Sequence, residues 1–310
     1  MTILARKILS IGRIEVILHA EILSLRTKMK VIPTINEIKQ LVREARAEGK
    51  TVGLVPTMGA LHEGHASLIR RSVAENDITV VSVFVNPTQF NDKNDLTNYP
   101  RTLEADCALI ESIGGSYVFA PSVEEVYPEP DTRYFSYPPI DTVMEGARRP
   151  GHFNGVCQIV SKLFMMVEPD RAYFGEKDFQ QIAVIRAMMK DQGFTFELVP
   201  CPIVREASGL ALSSRNTLLA DNEREIAVNI SRALIGSQAY ALSHSVEETT
   251  AWVIDTLNAI DGLDVEYYEI VDAITLQKVT SWDESEHIQG CITVFCGEKP
   301  IRLIDNIKYK

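Results

Sequence analysis

The sequence has few cysteines, and none of them is placed for a disulfide framework or a zinc site. It contains five in 310 residues, an odd number, and no CxxC pair brings two of them together. A chain of this length can bury a core without disulfides. These features predict free thiols and favour a protein of the reducing cytoplasm.

Positive charge and long apolar runs are also scarce. The chain has 31 basic and 42 acidic residues and a formal net charge of −11, which disfavours a surface that neutralises nucleic-acid phosphates. No stretch reaches the roughly 18 apolar residues that a membrane-spanning helix requires, and charged side chains interrupt the most apolar candidate, residues 8–25. The sequence therefore predicts no nucleic-acid or membrane partner, and an anionic substrate would be held by a few placed cations.

The first 30 residues differ in charge from the rest of the chain. They carry six basic residues and two glutamates. Such a segment is typical of a targeting presequence, but it is also what an upstream start codon would add ahead of Met29. The two glutamates and the lack of a small-residue cleavage site favour the second interpretation. We therefore predict a basic leader at residues 1–30 that is disordered or additional to the fold.

From Thr34 onwards, helical and strand patterns alternate. Thr34 predicts a helix cap, with Gly49 ending the helix. Short apolar runs predict strands at 51–55, 78–85, 117–120, 172–174 and 194–199. Helical spacing predicts helices at 66–76, 103–113, 156–167 and 179–192. Alternation of this kind indicates parallel strands joined by crossover helices, which predicts an α/β, doubly wound, Rossmann-like sheet over residues 31–203.

The pattern changes after about residue 204. Two helices are predicted, one from about 221 and one at 246–259, and three strands follow at 265–271, 291–295 and 301–304. Helices followed by strands without alternation indicate a smaller α+β domain, at residues 204–310.

One string of residues stands out at a strand-to-helix junction. Residues 56–65 read PTMGALHEGH and lie between the predicted strand 51–55 and the next helix. In an open α/β sheet, ligands bind at the carboxyl ends of the strands, and a helix amino terminus there favours a phosphate. His62 and His65 are three residues apart, so both rings can donate to one phosphate chain. Gly64 between them would let a nucleotide lie close to the backbone.

Two other interpretations of the histidines carry less weight. A zinc-protease helix requires HExxH, with the two histidines four residues apart, whereas the spacing here is three. The histidines could instead only cap and pack the start of a helix, but the strand before them and the helix after them favour a ligand site. No GxxxxGK[ST] loop is present, so a Walker-type phosphate site is not predicted.

The HxGH string resembles the nucleotidyltransferase superfamily that includes class I aminoacyl-tRNA synthetases, and PTMGALHEGH resembles the pantothenate synthetase family within it. Further strings match that family in order and spacing, from about residue 31 to the chain end: FVNPTQF at 84–90, YPRT at 99–102, RPGHF at 149–153, FGEKDFQQ at 174–181, REASGLA at 205–211, SSRN at 213–216 and RLIDN at 302–306. The resemblance implies an ATP-dependent ligase that joins pantoate to β-alanine through a pantoyl-adenylate and releases pyrophosphate and AMP. It also implies a lid function for the C-terminal domain.

The resemblance places catalytic groups on three segments: His62, His65, Lys177, Ser213, Ser214 and Arg215. The ATP site that it implies contains these six residues together with Met58, Gly59, Gly175, Asp178 and Leu212. Lys177 follows a predicted strand, so its ammonium can reach phosphates as a point charge. Asp178 and the backbone of Gly175 correspond to ribose contacts. The family most often has methionine where Leu212 stands, and we expect this volume-conserving change to be neutral.

Pantoate requires groups that orient two hydroxyls without neutralising the carboxylate that reacts. Amides both donate and accept, which suits that task. The resemblance assigns pantoate to Met58, Asn86, Gln89, Val160, Phe174 and Gln181. Arg149 and His152, in RPGHF, fit either a place beside this pocket or a structural turn and cap.

The resemblance also implies a homodimer, and Mg²⁺ is expected with ATP, although its protein ligands and the β-alanine site cannot be assigned from sequence. Two alternatives remain open. The chain could be another nucleotidyltransferase of the same fold, although the neutral Gln89 and Gln181 disfavour a phosphorylated acceptor. It could also be an ATP-binding protein without catalytic activity.

Overall fold

The computed structural model describes residues 29–91 and 93–310. Residues 1–28 of the predicted leader lie outside the described residues, and Lys30 already begins the first strand. Six strands form the first sheet: β1 (Lys30–Ile32), β2 (Val52–Thr57), β3 (Ile78–Val83), β4 (Tyr117–Phe119), β5 (Arg171–Gly175) and β6 (Glu197–Cys201). All five neighbouring pairs are parallel, in the order β1-β4-β3-β2-β5-β6.

Helices connect these strands and cover both faces of the sheet. They are α1 (Ile35–Ala47), α2 (Glu63–Glu75), α3 (Lys93–Asn98), α4 (Leu103–Ile113), α5 (Val123–Val126), α6 (Met144–Arg148), α7 (His152–Val167) and α8 (Phe179–Gln192). Apolar residues of α1, α7 and α8 form one buried cluster with Leu54 and Val80, while those of α2 and α4 form another with Val55 and Val81. Consecutive strand residues thus serve opposite faces, and the prediction of a doubly wound α/β sheet is confirmed.

The strand order places a crevice at the centre of the sheet. From β2 the chain moves outward through β3 to β4, and it then returns to the other side of β2 with β5 and β6. This reversal is the topological switch point at which doubly wound sheets bind ligands, outside the carboxyl ends of the strands. The segment 56–65 leaves β2 at this point.

The C-terminal part is the α+β arrangement that the sequence predicts. Helices α9 (Asp221–Tyr240) and α10 (Val246–Asn258) precede an antiparallel sheet of β7 (Leu263–Asp272), β8 (Ile288–Cys296) and β9 (Ile301–Lys308). Both helices pack on this sheet with a separate apolar cluster that includes Leu234, Val253 and Ile292. The boundary at 203–204 between the two units remains a prediction.

Some elements differ from the sequence prediction. The strand before the HxGH string is the second in the chain, because the short edge strand β1 precedes it and pairs with β4. The sequence does not predict β1, since its three residues are too few to show a periodic pattern. Strand β6 begins at Glu197 instead of 194. Phe194 and Phe196 instead pack edge to face against Phe164 of α7, so their aromatic character reflects core packing. The short helices α3, α5 and α6 were not predicted.

Within residues 29–91 and 93–310, none of the helices combines the length and the apolar character needed to cross a bilayer.

Candidate active site

A cleft of about 260 Å³ opens at the carboxyl ends of β2, β3, β5 and β6, and residues 202–204 and 212–215 also line it. It brings together nearly all the predicted site residues: Met58, His62, His65, Asn86, Gln89, Val160, Phe174, Gly175, Lys177, Asp178, Gln181, Leu212, Ser213, Ser214 and Arg215. Gly59 does not line the cleft. The other residues come from segments far apart in the chain, so only the sheet topology makes them neighbours.

The HxGH histidines cap the helix that follows them. The Nδ1 atom of His62 accepts from the backbone N–H of Gly64 at 3.1 Å, and the Nδ1 atom of His65 accepts from the backbone N–H of His62 at 3.3 Å. A neutral imidazole that accepts at Nδ1 carries its proton on Nε2. No hydrogen bond from any described residue reaches either Nε2, so both N–H groups are left to serve a ligand in the cleft.

Their surroundings keep both histidines neutral. The rings lie 4.1 Å apart between centroids. Burial lowers the pKa of His62 to about 4, and the positive charge of Lys177 adds to the effect. Burial lowers the pKa of His65 to about 3, helped by His62 and Lys177. At neutral pH the pair therefore provides two uncharged N–H donors, and Lys177 supplies positive charge beside them.

Local structure favours glycine at two positions of this segment. A Cβ on Gly64, which lines the cleft, would lie 2.8 Å from Cε1 of His62, so the close approach of this ring already favours glycine there. Gly59 has a φ of 83°, a left-handed conformation that favours glycine. Its backbone N–H donates to the Thr57 hydroxyl at 3.2 Å.

A buried carboxylate holds the loop before the histidines. Asp106 of α4 is 2% exposed and accepts from the backbone N–H groups of Ala60 (3.1 Å) and Leu61 (2.8 Å) and from the Thr102 hydroxyl. Ala60 has a φ of 50°, which is costly for a residue with a Cβ. Asp106 therefore stabilises a loop conformation that the local sequence does not favour.

Lys177 and the serine–arginine segment approach the same loop from two sides. Lys177 lies in the 3₁₀ turn Glu176–Asp178 after β5, and its ammonium is 3.6 Å from the Asp178 carboxylate. Ser213 caps a second 3₁₀ turn, Ser214–Leu218, by accepting from the N–H of Arg215 at 3.3 Å. The Ser214 hydroxyl donates to the carbonyl of Ala60 at 3.2 Å. This bond connects the C-terminal unit directly to the loop that carries the histidines.

The opposite end of the cleft combines apolar walls with oriented amides. The Tyr127 hydroxyl donates to Oδ1 of Asn86 at 2.8 Å, and Nδ2 of Asn86 donates to Oε1 of Gln89 at 3.1 Å. Because Tyr127 donates to Oδ1 of Asn86, the Nδ2 group of Asn86 must point towards Gln89, and the oxygen of Gln89 must in turn point towards Asn86. The Gln89 Nε2 group is thereby directed towards Met58 and the cleft, where its contact to Sδ is 3.3 Å. Gln89 can thus donate to an oxygen of a ligand.

Arg149 and His152 belong to the wall of this cleft. Nδ1 of His152 donates to the carbonyl of Gln89 at 2.9 Å, and its Nε2 lies 3.2 Å from Nη1 of Arg149, which can only donate. His152 is 7% exposed. Burial lowers its pKa to about 4, and the positive charge of Arg149 adds to the effect. The pair therefore supports the backbone of the Gln89 segment.

The low pKa of His152 predicts acid sensitivity. The folded protein resists protonation of this ring until about pH 4, whereas the unfolded chain takes up the proton near pH 6.5. The stabilisation is complete above pH 6.5 and is lost as the pH falls towards 4. Between pH 7.5 and pH 5, His152 should account for a loss of about 2 kcal/mol in the free energy of unfolding.

Urea unfolding of the parent protein and of His152→Asn at both pH values measures this loss. Asparagine retains a donor for the Gln89 carbonyl but does not titrate. The variant's decrease between the two pH values should be smaller by about 2 kcal/mol. An unchanged decrease would assign the acid sensitivity to other groups.

The charge of the cleft is opposite in sign to that of the whole chain. Its described lining contains Arg149, Lys177 and Arg215 against the single carboxylate of Asp178, whereas the chain has a formal net charge of −11. Placed cations in a concave site raise the local concentration of anions and guide their entry. The arrangement is suited to a polyanion such as a triphosphate.

Several residues of the site could not be identified from their local sequence. Tyr127 and Asp106 support it from other elements, through hydrogen bonds to partners distant in the chain, and segment 202–204 lines it. Segment 202–204 follows the end of β6, so a correct placement of that strand would have revealed it. The Tyr127 and Asp106 contacts leave no such signal.

Comparison with known proteins gives one consistent result. A sequence model of the pantoate-β-alanine ligase family matches residues 30–308. Pantothenate synthetase from Phocaeicola vulgatus is 66% identical over 283 residues, which cover 91% of this chain and 100% of that protein. Pantothenate synthetase from Porphyromonas gingivalis is 61% identical over 282 residues, with coverage of 91% and 100%.

Solved structures agree with the sequence matches. Pantothenate synthetase from Thermus thermophilus has a TM-score of 0.84 and 42% identity, covering 91% of this chain and 99% of that one. Pantoate-β-alanine ligase from Francisella tularensis, determined in complex with β-γ ATP and β-alanine, has a TM-score of 0.75 and 35% identity, with coverage of 91% and 98%. By sequence and by fold, this chain belongs to the pantoate–β-alanine ligase family.

Proposed function

We propose that this ligase activates pantoate with ATP as a pantoyl-adenylate and then transfers the pantoyl group to β-alanine. One observation carries the proposal. The free Nε2–H groups of His62 and His65, the ammonium of Lys177 and the segment Ser213–Arg215 converge on one cleft, whose other end holds oriented amides between apolar walls. A nucleotide and a small hydroxy acid would fit side by side in such a site.

In the first step, a carboxylate oxygen of pantoate attacks the α-phosphorus of ATP. The new bond joins that oxygen to phosphorus, and the bond to the bridging oxygen of pyrophosphate breaks. Negative charge grows on the leaving pyrophosphate, and catalysis of such transfers consists mainly of positioning and of stabilising that charge. The neutral histidine donors and the Lys177 ammonium would supply this stabilisation, because they already point into the cleft before the reaction begins.

The serine–arginine segment would close the phosphate site. It belongs to the C-terminal unit, yet the Ser214 hydroxyl contacts the HxGH loop through the Ala60 carbonyl. With ATP bound, the hydroxyls of Ser213 and Ser214 and the guanidinium of Arg215 would lie over the phosphates. Asp178 and the backbone of Gly175 would hold the ribose, and Leu212 would pack on the adenine.

The pantoate end would bind its ligand through neutral groups. Gln89 and Gln181 both line the cleft and would hydrogen-bond the hydroxyls and carboxylate without a cation that would weaken the nucleophile. Val160 and Phe174, each 5% exposed, would bury the dimethyl carbon against Met58. Asn86 would act by orienting Gln89.

In the second step, the amine of β-alanine attacks the acyl carbon of the adenylate. A carbon–nitrogen bond forms, the carbon–oxygen bond to AMP breaks, and the amine loses a proton. The Francisella tularensis relative, whose structure contains both β-γ ATP and β-alanine, supports a site that accepts a nucleotide and this amino acid together.

Substitution of Gln89 should affect the two substrates unequally. Gln89→Ala should raise the KM for pantoate by about 10- to 100-fold, the scale of one or two hydrogen bonds to a charged or polar ligand, while the KM for ATP changes by less than about threefold. Steady-state kinetics with each substrate varied in turn measure both constants. Gln192→Ala, at the exposed end of α8, serves as the control. Equal changes in the two constants would contradict the assignment of Gln89 to pantoate.

Magnesium would enter with the nucleotide. No group of three or more His, Cys, Asp or Glu side chains placed to hold a metal occurs in the part of the chain that the structure describes, and Asp178 is the carboxylate that lines the cleft. Mg²⁺ commonly binds through substrate phosphates with few protein ligands and several waters. Bound in this way, it would neutralise part of the phosphate charge.

We further propose a homodimer in the cytoplasm. The homodimer is implied by the family resemblance, and the free cysteines support a reducing compartment. Light scattering distinguishes a dimer from the 34.6 kDa single chain.

Pyrophosphate exchange tests the proposed function against its alternatives. With ATP, labelled pyrophosphate and pantoate, and without β-alanine, label should enter ATP because the first step is reversible. Exchange that requires a phosphorylated acceptor instead would indicate another nucleotidyltransferase. ATP binding without exchange with any small acid would indicate a binding protein, and either result would overturn the proposal.

A further inference from the structure

Strand β9 carries two consecutive polar residues that are buried against other parts of the molecule. Asp305 and Asn306 are each 5% exposed. They belong to the RLIDN string, which the proposed mechanism does not use. Neighbouring residues of a strand face opposite sides of the sheet, so the two side chains meet different partners. Buried polar side chains of this kind are retained only where their hydrogen bonds are made.

Asn306 holds the turn that carries Lys177. Its Nδ2 group donates to the carbonyls of Glu176 at 2.8 Å and Lys177 at 3.1 Å. The orientation of this amide is fixed, because Nε2 of Gln289 donates to Oδ1 of Asn306 at 2.7 Å. Both N–H groups of the amide must therefore face the turn. The backbone from which the Lys177 side chain extends is thus clamped by the C-terminal sheet.

Asp305 holds the segment that leads to the serines. Its carboxylate receives two hydrogen bonds from the Arg205 guanidinium, at 2.6 and 2.9 Å. Arg205 also donates to the carbonyl of Gly209 at 3.3 Å and forms a β-bridge with Ala211. The backbone N–H of Leu212 donates to the carbonyl of Val204 at 3.0 Å. This hairpin, residues 204–212, runs directly into Ser213.

We propose that Asp305 and Asn306 form a brace that fixes the Lys177 turn and the Ser213–Arg215 segment at one spacing, so that both reach the same triphosphate. They are positioning residues, since neither lies at the reacting atoms. The inference rests on the proposed roles of Lys177 and Arg215. A long side chain such as lysine directs its charge accurately only when its backbone is held. The brace therefore makes β9 a part of the adenylation site.

A double-mutant cycle between Asn306 and Lys177 tests the brace. Pantoate-dependent pyrophosphate exchange is measured for the parent protein, Asn306→Ala, Lys177→Ala and the double variant. Asn306→Ala alone should lower kcat by about tenfold or more, because small displacements of a catalytic group cost this much or more. It should leave the KM for pantoate within about twofold. In the Lys177→Ala background, the same substitution should lower kcat by less than about threefold, because its effect passes through Lys177.

Two further variants separate positioning from general destabilisation. Tyr267→Phe is the matched control, because it removes another bond between the two units, from the Tyr267 hydroxyl to Glu145 at 2.8 Å, and leaves the brace intact. Its kcat should stay within about twofold of the parent value. Gln289→Leu removes the donor that orients Asn306. It should lower kcat in the same direction as Asn306→Ala but less, and it provides the measurement should Asn306→Ala fail to fold.

Two results would overturn the brace. One is a kcat for Asn306→Ala equal to the kcat of Tyr267→Phe. If Asn306→Ala does not fold, Gln289→Leu takes its place in this comparison. The other is an Asn306→Ala effect of equal size with and without Lys177. The parent protein keeps this test separate from the proposed function: absence of pantoate-dependent exchange in the parent would reject the function itself, whereas normal parent exchange with either result above rejects only the brace.

Discussion

Replacement of Lys177 with alanine should lower the rate of adenylate formation by roughly 10²- to 10³-fold. This is the usual scale for removing one group that stabilises charge in a transition state. The positive charge of Lys177 helps to lower the pKa values of both HxGH histidines, and its side chain is 18% exposed. The charge therefore acts in a partly desolvated site, where water would not replace it.

The measurement is single-turnover formation of the adenylate, or pyrophosphate exchange, at saturating ATP and pantoate. Lys190→Ala is the matched control, because Lys190 is in the last turn of α8, the helix that follows the Lys177 turn, and its loss changes the net charge equally. The control should keep the parent rate. A loss below threefold for Lys177→Ala would remove Lys177 from the mechanism.

The second large effect is expected at His65. His65→Asn should lower adenylation by about 10²-fold or more, comparable with the loss of an oxyanion donor. Asparagine places Oδ1 where Nδ1 accepts from the backbone N–H of His62, so the helix cap can persist, but it has no group at the position of Nε2. The variant thus removes the donor to the phosphates while retaining the structural bond.

His65→Gln is the complementary variant. Glutamine carries an N–H group close to the position of Nε2, so it should recover part of the rate that His65→Asn loses. Rates of both variants are compared together with their thermal unfolding. If the two are equally slow and equally destabilised, the ring acts through the helix cap alone, and the proposed phosphate contact is wrong.

The sequence predicted the elements that have strong local patterns. The helices at 103–113 and 179–192 agree with α4 and α8 to the residue, because their apolar spacing, glycine caps and length are all local signals. The site residues of the FGEKDFQQ and SSRN strings were located through resemblance, and the structure places them in the same cleft. Their individual roles remain predictions.

Contacts between distant segments could not be predicted in the same way. Tyr127, Asp106 and Asn306 orient Gln89, the HxGH loop and the Lys177 turn, through hydrogen bonds to partners 41, 45 and 129 residues away along the chain. Nothing in the neighbouring sequence of each residue identifies such a partner. Only the strand order and the packing of the C-terminal sheet bring them together. The supporting residues of the site are therefore a product of the tertiary fold.

The C-terminal unit also contacts the first unit away from the Ser213–Arg215 segment. Its sheet meets the first unit through a half-buried group of polar side chains. In this group Arg302 donates to both oxygens of Glu145 at 2.7 Å, and the Thr293 hydroxyl donates to Glu145 at 2.9 Å. Arg302 and Asn306 both lie on β9. Strand β9 therefore joins the two units at two points, one of them at the Lys177 turn.

Transfer of ¹⁸O from pantoate tests the central chemical claim most directly. Pantoate labelled with ¹⁸O in its carboxyl group is incubated with ATP and β-alanine, and the AMP that forms is analysed by mass spectrometry. If the carboxylate attacks the α-phosphorus, each AMP should carry one ¹⁸O atom and pyrophosphate should carry none. Unlabelled AMP, or label in a phosphate released from the γ-position, would contradict an adenylate intermediate.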